Sequence, residues 1–452
     1  MQKLIYFVLF AGLTACGGSD GGSEVPQIGE VPQIDTTECS NDYQKQFVLD
    51  NLNYWYLWND LLPADINIAD YASPEELVFE VTRNFGPQNA SNQPLDLFSS
   101  VGSLDADQQF FGEGKYEGFG FSWRLENDEM RFTRVFVDSP ANMVGGFART
   151  QTVASIDGRS VAEILANEGI GAALDNATVT FEIRELDGTL RPPVAVTKAV
   201  VTIDPIPQWR VIDAGDGRSI GYMELSTFIS TANAQFDEVF GAFRNANVSE
   251  VIIDLRYNGG GLVSTAELLG DYLGGFVAQN LTFSSTEFNA DRAAEYNSAE
   301  VFSLLANSIN LSQLVIIASR GTASASELVT NGMIPHVDVA IVGDNTFGKP
   351  VGQIGLEFCE KILRPTSFKL ANADGYGDYF DGLPVDCAVP DDLNTVIGAA
   401  DDPNVVAALS YLNTGACPVA AASDERFKVG YTIDVEQADR RGPPHREYLD
   451  VF

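Results

Sequence analysis

Histidine is nearly absent from this chain of 452 residues, which holds only His336 and His445. So scarce a supply leaves little material for a Ser-His-Asp triad, and His336, inside Met333-Ile334-Pro335-His336-Val337, reads as a core or loop histidine. Cysteine is scarce too, at five, and no spacing among these residues resembles a zinc site or pairs a thiol with a histidine motif. Asn372-Ala373-Asp374-Gly375 and residues 213–217 lack the later ligands of a calcium loop and read as turns. No metal and no cofactor are therefore expected. Lysine and arginine number 27 against 63 acidic residues, a net charge of −36, which opposes binding to nucleic acid or anionic lipid. After the first residues, no apolar run is long enough to span a bilayer.

Chemistry without histidine needs another base, and the chain offers one. Thr322-Ala323-Ser324-Ala325-Ser326-Glu327 is a small-residue turn entering an apolar stretch, a sequence able to hold a hydroxyl at a helix N-terminus. Downstream, Thr346-Phe347-Gly348-Lys349 places a lone lysine in an apolar loop, with Val342, Phe347 and Val351 nearby and no carboxylate nearer in sequence than Asp344. Lysine serves as a base near neutral pH only where burial penalises its charged form. Taken alone, the serine would merely cap a helix and the lysine would sit on a solvated loop.

A third element changes that balance. Val251-Ile252-Ile253-Asp254-Leu255-Arg256-Tyr257-Asn258-Gly259-Gly260-Gly261 reads as a buried strand delivering a glycine loop, where main-chain N–H groups can approach a ligand closely. Together the three motifs resemble the C-terminal processing peptidases, also called tail-specific proteases. The resemblance rests on Asp254-Leu255-Arg256-x-Asn258-x-Gly260-Gly261, Ala323-Ser324-Ala325-Ser326-Glu327 and Gly343-x-x-Thr346-Phe347-Gly348-Lys349-x-x-x-Gln353. It implies that Ser324 is the nucleophile, Lys349 the general base, Gln353 the residue orienting the lysine, and the Gly260 and Ala325 amides the oxyanion hole. Gly375 to Asp386 resembles the family's closing strand region. Thr322 stands where many members have serine, and Pro350 where a small residue is commoner; neither removes a catalytic group.

The start of the chain points to the cell envelope. Met1-Gln2-Lys3, a short apolar core over 4–10, and Leu13-Thr14-Ala15-Cys16 read as a signal peptide whose end resembles a bacterial lipobox. Cys16 would be lipidated, and Gly17-Gly18 favour sorting to the outer membrane. Setting Cys16 aside leaves Cys39, Cys359, Cys387 and Cys417, an even set in an exported chain, so two disulfides are expected. Three connectivities are open; the preferred pair is Cys359 with Cys387, because the segment between them has room for a hairpin.

Domain organisation follows from pattern changes. Residues 1–16 are the lipoprotein signal and 17–38 a Gly-, Ser- and Pro-rich tether in which Glu24-Val25-Pro26-Gln27-Ile28 recurs as Glu30-Val31-Pro32-Gln33-Ile34. Residues 39–112 read as a helical N-terminal domain, with Ser73-Pro74 as N-cap and first helical position. Over 113–205, short strands at 119–124, 130–137, 151–156 and 179–185 accompany Gly118-Phe119-Gly120-Phe121, Asp138-Ser139-Pro140 and Ser155-Ile156-Asp157-Gly158, which together resemble a PDZ domain. There Gly118, Phe119, Gly120 and Phe121 would offer amides to a peptide carboxylate while the next strand pairs with the peptide. Arg149-Thr150 replaces the usual Gly-Asp. Residues 206–417 alternate strands with helices at 232–245 and 265–273, suggesting an α/β sheet with its site at the strand ends, and the resemblance implies that this is a crotonase-like α/β protease core. Residues 418–452 lie outside the resemblance and end in an apolar C-terminus of the kind a PDZ groove accepts.

The expected activity is that of an exported, lipid-anchored serine endopeptidase acting on polypeptides near their C-termini. Its alternative is an inactive peptidase fold serving as a peptide-binding scaffold. Sequence leaves the oligomeric state open.

Overall fold

The computed structural model describes residues 39–418. The lipobox at Cys16, the tether and, apart from Pro418, the 418–452 tail lie outside the described residues.

Three β-branched runs decide the centre of the molecule. Glu250–Asp254, Gln313–Ala318 and Asp338–Gly343 are adjacent parallel strands, extended on one side by Ser219–Glu224 and the antiparallel Gln208–Asp213, and on the other by Cys387–Ala388. A parallel sheet is covered on both faces, so its strands read as continuous apolar runs rather than alternating ones. Val251, Ile253, Leu314 and Ile316 pack towards the helices Ala232–Asn245, Val263–Gly274 and Ala325–Met333, whereas Ile252, Val315, Ile317 and Val342 share the other core with the helix Pro403–Thr414. The helix expected at 232–245 forms over those residues. A second sheet, ordered Ser298–Val301, Thr282–Phe288, Thr366–Ala371 and Val351–Gln353, carries the chain after the lysine loop. The closing strand expected from Gly375 onward is instead irregular backbone, and pairing resumes only at Cys387–Ala388.

Upstream of the core, Ser73 caps the helix Pro74–Phe85 through its side chain, with proline at the first turn, and this helix packs beside Asn41–Trp55. The segment is not helical throughout: Ser100–Ser103 pairs antiparallel with Lys361–Arg364, whose hairpin partner is Leu356–Phe358. This pairing explains a correction to the cysteines. Cys359 lies at the turn of that hairpin and bonds Cys39, while Cys387, on the edge of the central sheet, bonds Cys417. Cys359 and Cys387 belong to different sheets, so the hairpin that would have paired them does not form.

Residues 115–202 form a β-rich unit in which Phe121–Glu126, Glu129–Val135, Thr152–Ile156, Thr178–Arg184 and Val194–Thr197 make one antiparallel sheet around an aromatic core. Arginines of this unit reach the part of the chain built on the central sheet. Arg134 meets Glu224 at 2.6 Å and Ser226 at 2.8 Å, and Arg131 donates to the Leu393 carbonyl at 3.2 Å.

Candidate active site

Each of the three sequence motifs begins where one of three neighbouring parallel strands ends. Asp254 leads into the glycine loop, Ala318 into the serine turn, and Gly343 into the lysine loop. Carboxyl ends of adjacent parallel strands gather their loops into one place, which is why motifs far apart in sequence meet.

Ser324 stands immediately before the helix Ala325–Met333 with φ 56° and ψ −115°, a left-handed conformation that a serine adopts only when its surroundings impose it. Several bonds impose it here. The Ala323 N–H and the Ser326 hydroxyl both donate to the Asn258 carbonyl, at 3.1 and 2.9 Å. Thr322, the departure from serine, donates its hydroxyl to the Leu255 carbonyl at 2.8 Å and accepts from Phe347 N–H at its own carbonyl at 2.9 Å. Gly260, at φ +106°, lies so near that a Cβ there would sit 2.7 Å from the Ser324 Cβ and 2.9 Å from the Ala325 nitrogen. Only glycine fits.

Glu327 joins the turn to the lysine loop. Fully buried, its carboxylate accepts the N–H groups of Ser324, Gly348 and Lys349 at 2.9, 2.7 and 2.8 Å and the Thr346 hydroxyl at 2.5 Å. Burial pushes this carboxyl above its usual range, while the four donors pull the other way. All four partners are donors, so the site is built for the ionised form.

Lys349 is 9 % exposed, and its Nζ donates to Gln353 Oε1 at 3.0 Å. Gln353 Nε2 in turn donates to the carbonyls of Phe98 and Arg364 at 2.7 and 2.9 Å. Bonds through Glu327 link Ser324, Lys349 and Gln353, bonds through Asn258 link Gly260 to the serine turn, and the Ala325 nitrogen lies beside Gly260, so the structure brings these five residues together. One expected donor is engaged: the Gly260 N–H donates to Asn258 Oδ1 at 2.9 Å, so serving an oxyanion requires this amide to share or leave that acceptor. His336 is satisfied away from these groups, with Nε2 against the Thr282 carbonyl at 2.8 Å and its ring on Phe302.

Residues 219–386 match the model of peptidase family S41, and residues 43–100 match the peptidase S41 N-terminal domain. The chain belongs to peptidase family S41. All five residues of the network fall within the larger match. Its α/β core is the S41 peptidase fold: the structure resembles a putative S41 protease from Bacteroides fragilis NCTC 9343 with a TM-score of 0.65 and 20 % identity, covering 81 % of this chain and 97 % of that one. The chain is also 22 % identical over 297 residues to a probable CtpA-like serine protease from Staphylococcus haemolyticus (strain JCSC1435), covering 65 % of this chain and 57 % of the relative. A protein of the same name from Staphylococcus aureus (strain N315) is 22 % identical over 279 residues, covering 61 % and 53 %. The chain thus spans about half the length of these relatives.

The four residues expected to meet a peptide, Gly118, Phe119, Gly120 and Phe121, lie elsewhere, in the β-rich unit. Phe119 and Phe121 turn their rings into its core, and the Gly120 carbonyl accepts from the Ser139 hydroxyl at 3.1 Å, so only backbone at this loop is left to meet a ligand. Within that sheet Phe121–Glu126 is an edge strand, paired only with Glu129–Val135. Sequence reading missed two participants: Phe98, whose ring faces Lys349, and Asp391, which gathers three arginines. Neither had a motif to reveal it.

Proposed function

We propose that this S41 family member is a serine endopeptidase that cleaves polypeptides near their C-termini, with Ser324 as nucleophile and Lys349 as general base. The observation carrying this reading is the shared anchoring of the serine turn and the lysine loop on Glu327, with Lys349 almost buried and oriented by Gln353.

Ser324 Oγ attacks the scissile carbonyl and its proton passes to Lys349 Nζ. The resulting oxyanion takes hydrogen bonds from the Ala325 and Gly260 amides, helped by the N-terminal end of the helix that follows. Collapse breaks the C–N bond as Lys349 returns the proton to the leaving amine, leaving an acyl ester on Ser324. Water then attacks that ester with Lys349 again accepting a proton, and Ser324 leaves with its hydroxyl restored. No cofactor is needed for these steps.

The backbone of Gly118, Phe119, Gly120 and Phe121, with the edge strand beyond it, suits recognition of a polypeptide end by strand addition. Export through a signal at 1–16 and a lipid anchor at Cys16 would put this activity at the bacterial cell envelope. Mass spectrometry of a denatured protein incubated with the purified chain, with Ser324→Ala and with Lys349→Ala tests the reading. Cleavage by the parent and loss of on the order of a hundredfold or more in both variants is expected. Undiminished cleavage by either contradicts it, and a parent inert towards every polypeptide would favour a peptide-binding scaffold.

A further inference from the structure

Between the helix Pro74–Phe85 and the strand Ser100–Ser103 the chain makes a turn built on one carboxylate. Asp96 is fully buried and accepts the N–H groups of Phe98 and Ser99 at 2.9 and 3.0 Å, the Thr366 hydroxyl at 2.9 Å and the Ser99 hydroxyl at 2.5 Å. Ser99 Oγ itself accepts the Thr366 N–H at 2.9 Å. Thr366 pairs with Gln353 across the second sheet, so this turn is fixed against the strand that follows the lysine.

Two groups of Phe98 then reach the base. Its carbonyl and that of Arg364 take both Nε2 protons of Gln353, which settles the orientation of the amide: Oε1 is the atom facing Lys349 Nζ, and it can only accept. Its ring centroid stands 4.6 Å from Lys349 Nζ, and the ring also meets Phe347 edge-on at 6.1 Å. A ring at that distance acts on an amine in two opposed ways. Its quadrupole favours the ammonium form, and its apolar bulk excludes water and so favours the neutral form.

We propose that Phe98 is a positioning residue for the reaction at Ser324, fixing Gln353 through its carbonyl and setting the proton affinity of Lys349 through its ring. The N-terminal segment thereby completes the active site. This inference rests on Lys349 being the general base. Among the charged groups of this network, Glu327 holds the main-chain N–H of the lysine, the Asp96 carboxylate accepts from Phe98, Ser99 and Thr366, and the Arg364 guanidinium is paired with Asp107 at 2.6 and 2.7 Å.

Substitution separates the two effects of the ring. Lysine must be neutral to take the serine proton, so kcat/KM rises with pH through the lysine pKa of the free enzyme. Phe98→Leu keeps apolar bulk and loses the quadrupole, so the acid limb of the pH profile should move to lower pH by about half to one and a half pH units. Phe98→Ala admits water, and the limb should move to higher pH. The experiment measures kcat/KM against pH on an unstructured fluorogenic peptide for the parent, both variants and Lys349→Met, with thermal melts to confirm folding. If Phe98→Ala does not fold, Phe98→Leu decides alone. A limb unmoved in Phe98→Leu, even with activity uniformly lower, assigns Phe98 to packing and overturns the proposal. Parent-like activity in Lys349→Met overturns the Ser-Lys reading instead.

Discussion

Ser324 and Lys349 donate their main-chain N–H groups to the same oxygen, Glu327 Oε2, at 2.9 and 2.8 Å. The proposed nucleophile and base are therefore held in register by backbone, before any side chain is considered. Glu327→Gln keeps the shape but places an NH2 group against one pair of donors. On the Oε2 side it would face the N–H groups of Ser324 and Lys349, and on the Oε1 side that of Gly348. A buried unsatisfied donor costs about 1–3 kcal/mol. The variant should lose that much stability and at least about tenfold in kcat, read by chemical denaturation and peptide turnover. Parent-like kcat would show that the shared carboxylate does not position the pair.

A second buried network joins the β-rich unit to the glycine loop. Arg256, 1 % exposed, pairs with Asp254 at 2.6 Å, Asp402 at 2.5 Å and Asp391 at 3.0 Å, and Asp391 also binds Arg124, Arg149 and the Tyr257 hydroxyl. Burial works to raise the Asp391 carboxyl, but Arg149, Arg256 and Arg124 outweigh it and hold it below its ordinary range. A depressed carboxylate adds stability above its unfolded pKa and loses it as pH falls through the folded one. Asp391→Asn, which leaves buried guanidiniums short of a partner, should cost about 3–5 kcal/mol near neutral pH. The gap to the parent should narrow as pH drops below the ordinary carboxylate range. Denaturation midpoints across acid pH check both; a gap independent of pH would remove the charge from the account.

The two disulfides should differ in weight. Cys39–Cys359 closes a sequence separation of 320 residues and Cys387–Cys417 one of 30. In the chain-entropy picture the shorter loop contributes about 4 kcal/mol and the longer about 6. Paired serine substitutions at 39 and 359 should lower the melting temperature further than those at 387 and 417. They should also lower kcat, because Cys359 sits on the hairpin whose Arg364 carbonyl holds Gln353. Equal melting temperatures for the two double variants would contradict this ordering.

The proposed membrane attachment rests on one residue. Cys16→Ser should release the protein from membranes or leave its precursor uncleaved, because the lipobox reading puts the acyl anchor on that residue. Unchanged fractionation and processing would exclude a lipoprotein.

What sequence discloses here is what local chemistry writes down. The serine turn, lysine loop and glycine loop were legible because each needs small residues at a strand end, and the Pro74 helix because Ser73-Pro74 is a start signal read within a few residues. Contacts set by tertiary packing were not. Cys359 finds Cys39 because Ser100–Ser103 pairs with Lys361–Arg364, a choice no spacing encodes. Phe98 reaches Lys349 only because Asp96 fastens its turn to Thr366, and an isolated phenylalanine in sequence reads as core. The Gly260 amide was assignable by motif, but its bond to Asn258 Oδ1 is a local turn geometry that shows only in three dimensions.

The central claim, that Lys349 activates Ser324, is tested most directly by intact-protein mass spectrometry after exposure to a fluorophosphonate, which phosphonylates activated serines with loss of fluoride. The parent should gain one adduct, mapped to Ser324 by peptide digestion, at a rate that rises with pH, and Lys349→Met should label at least about a hundredfold more slowly while remaining folded. Labelling of Ser324 at the parent rate in Lys349→Met, or polypeptide cleavage by a parent whose Ser324 never labels, would contradict it.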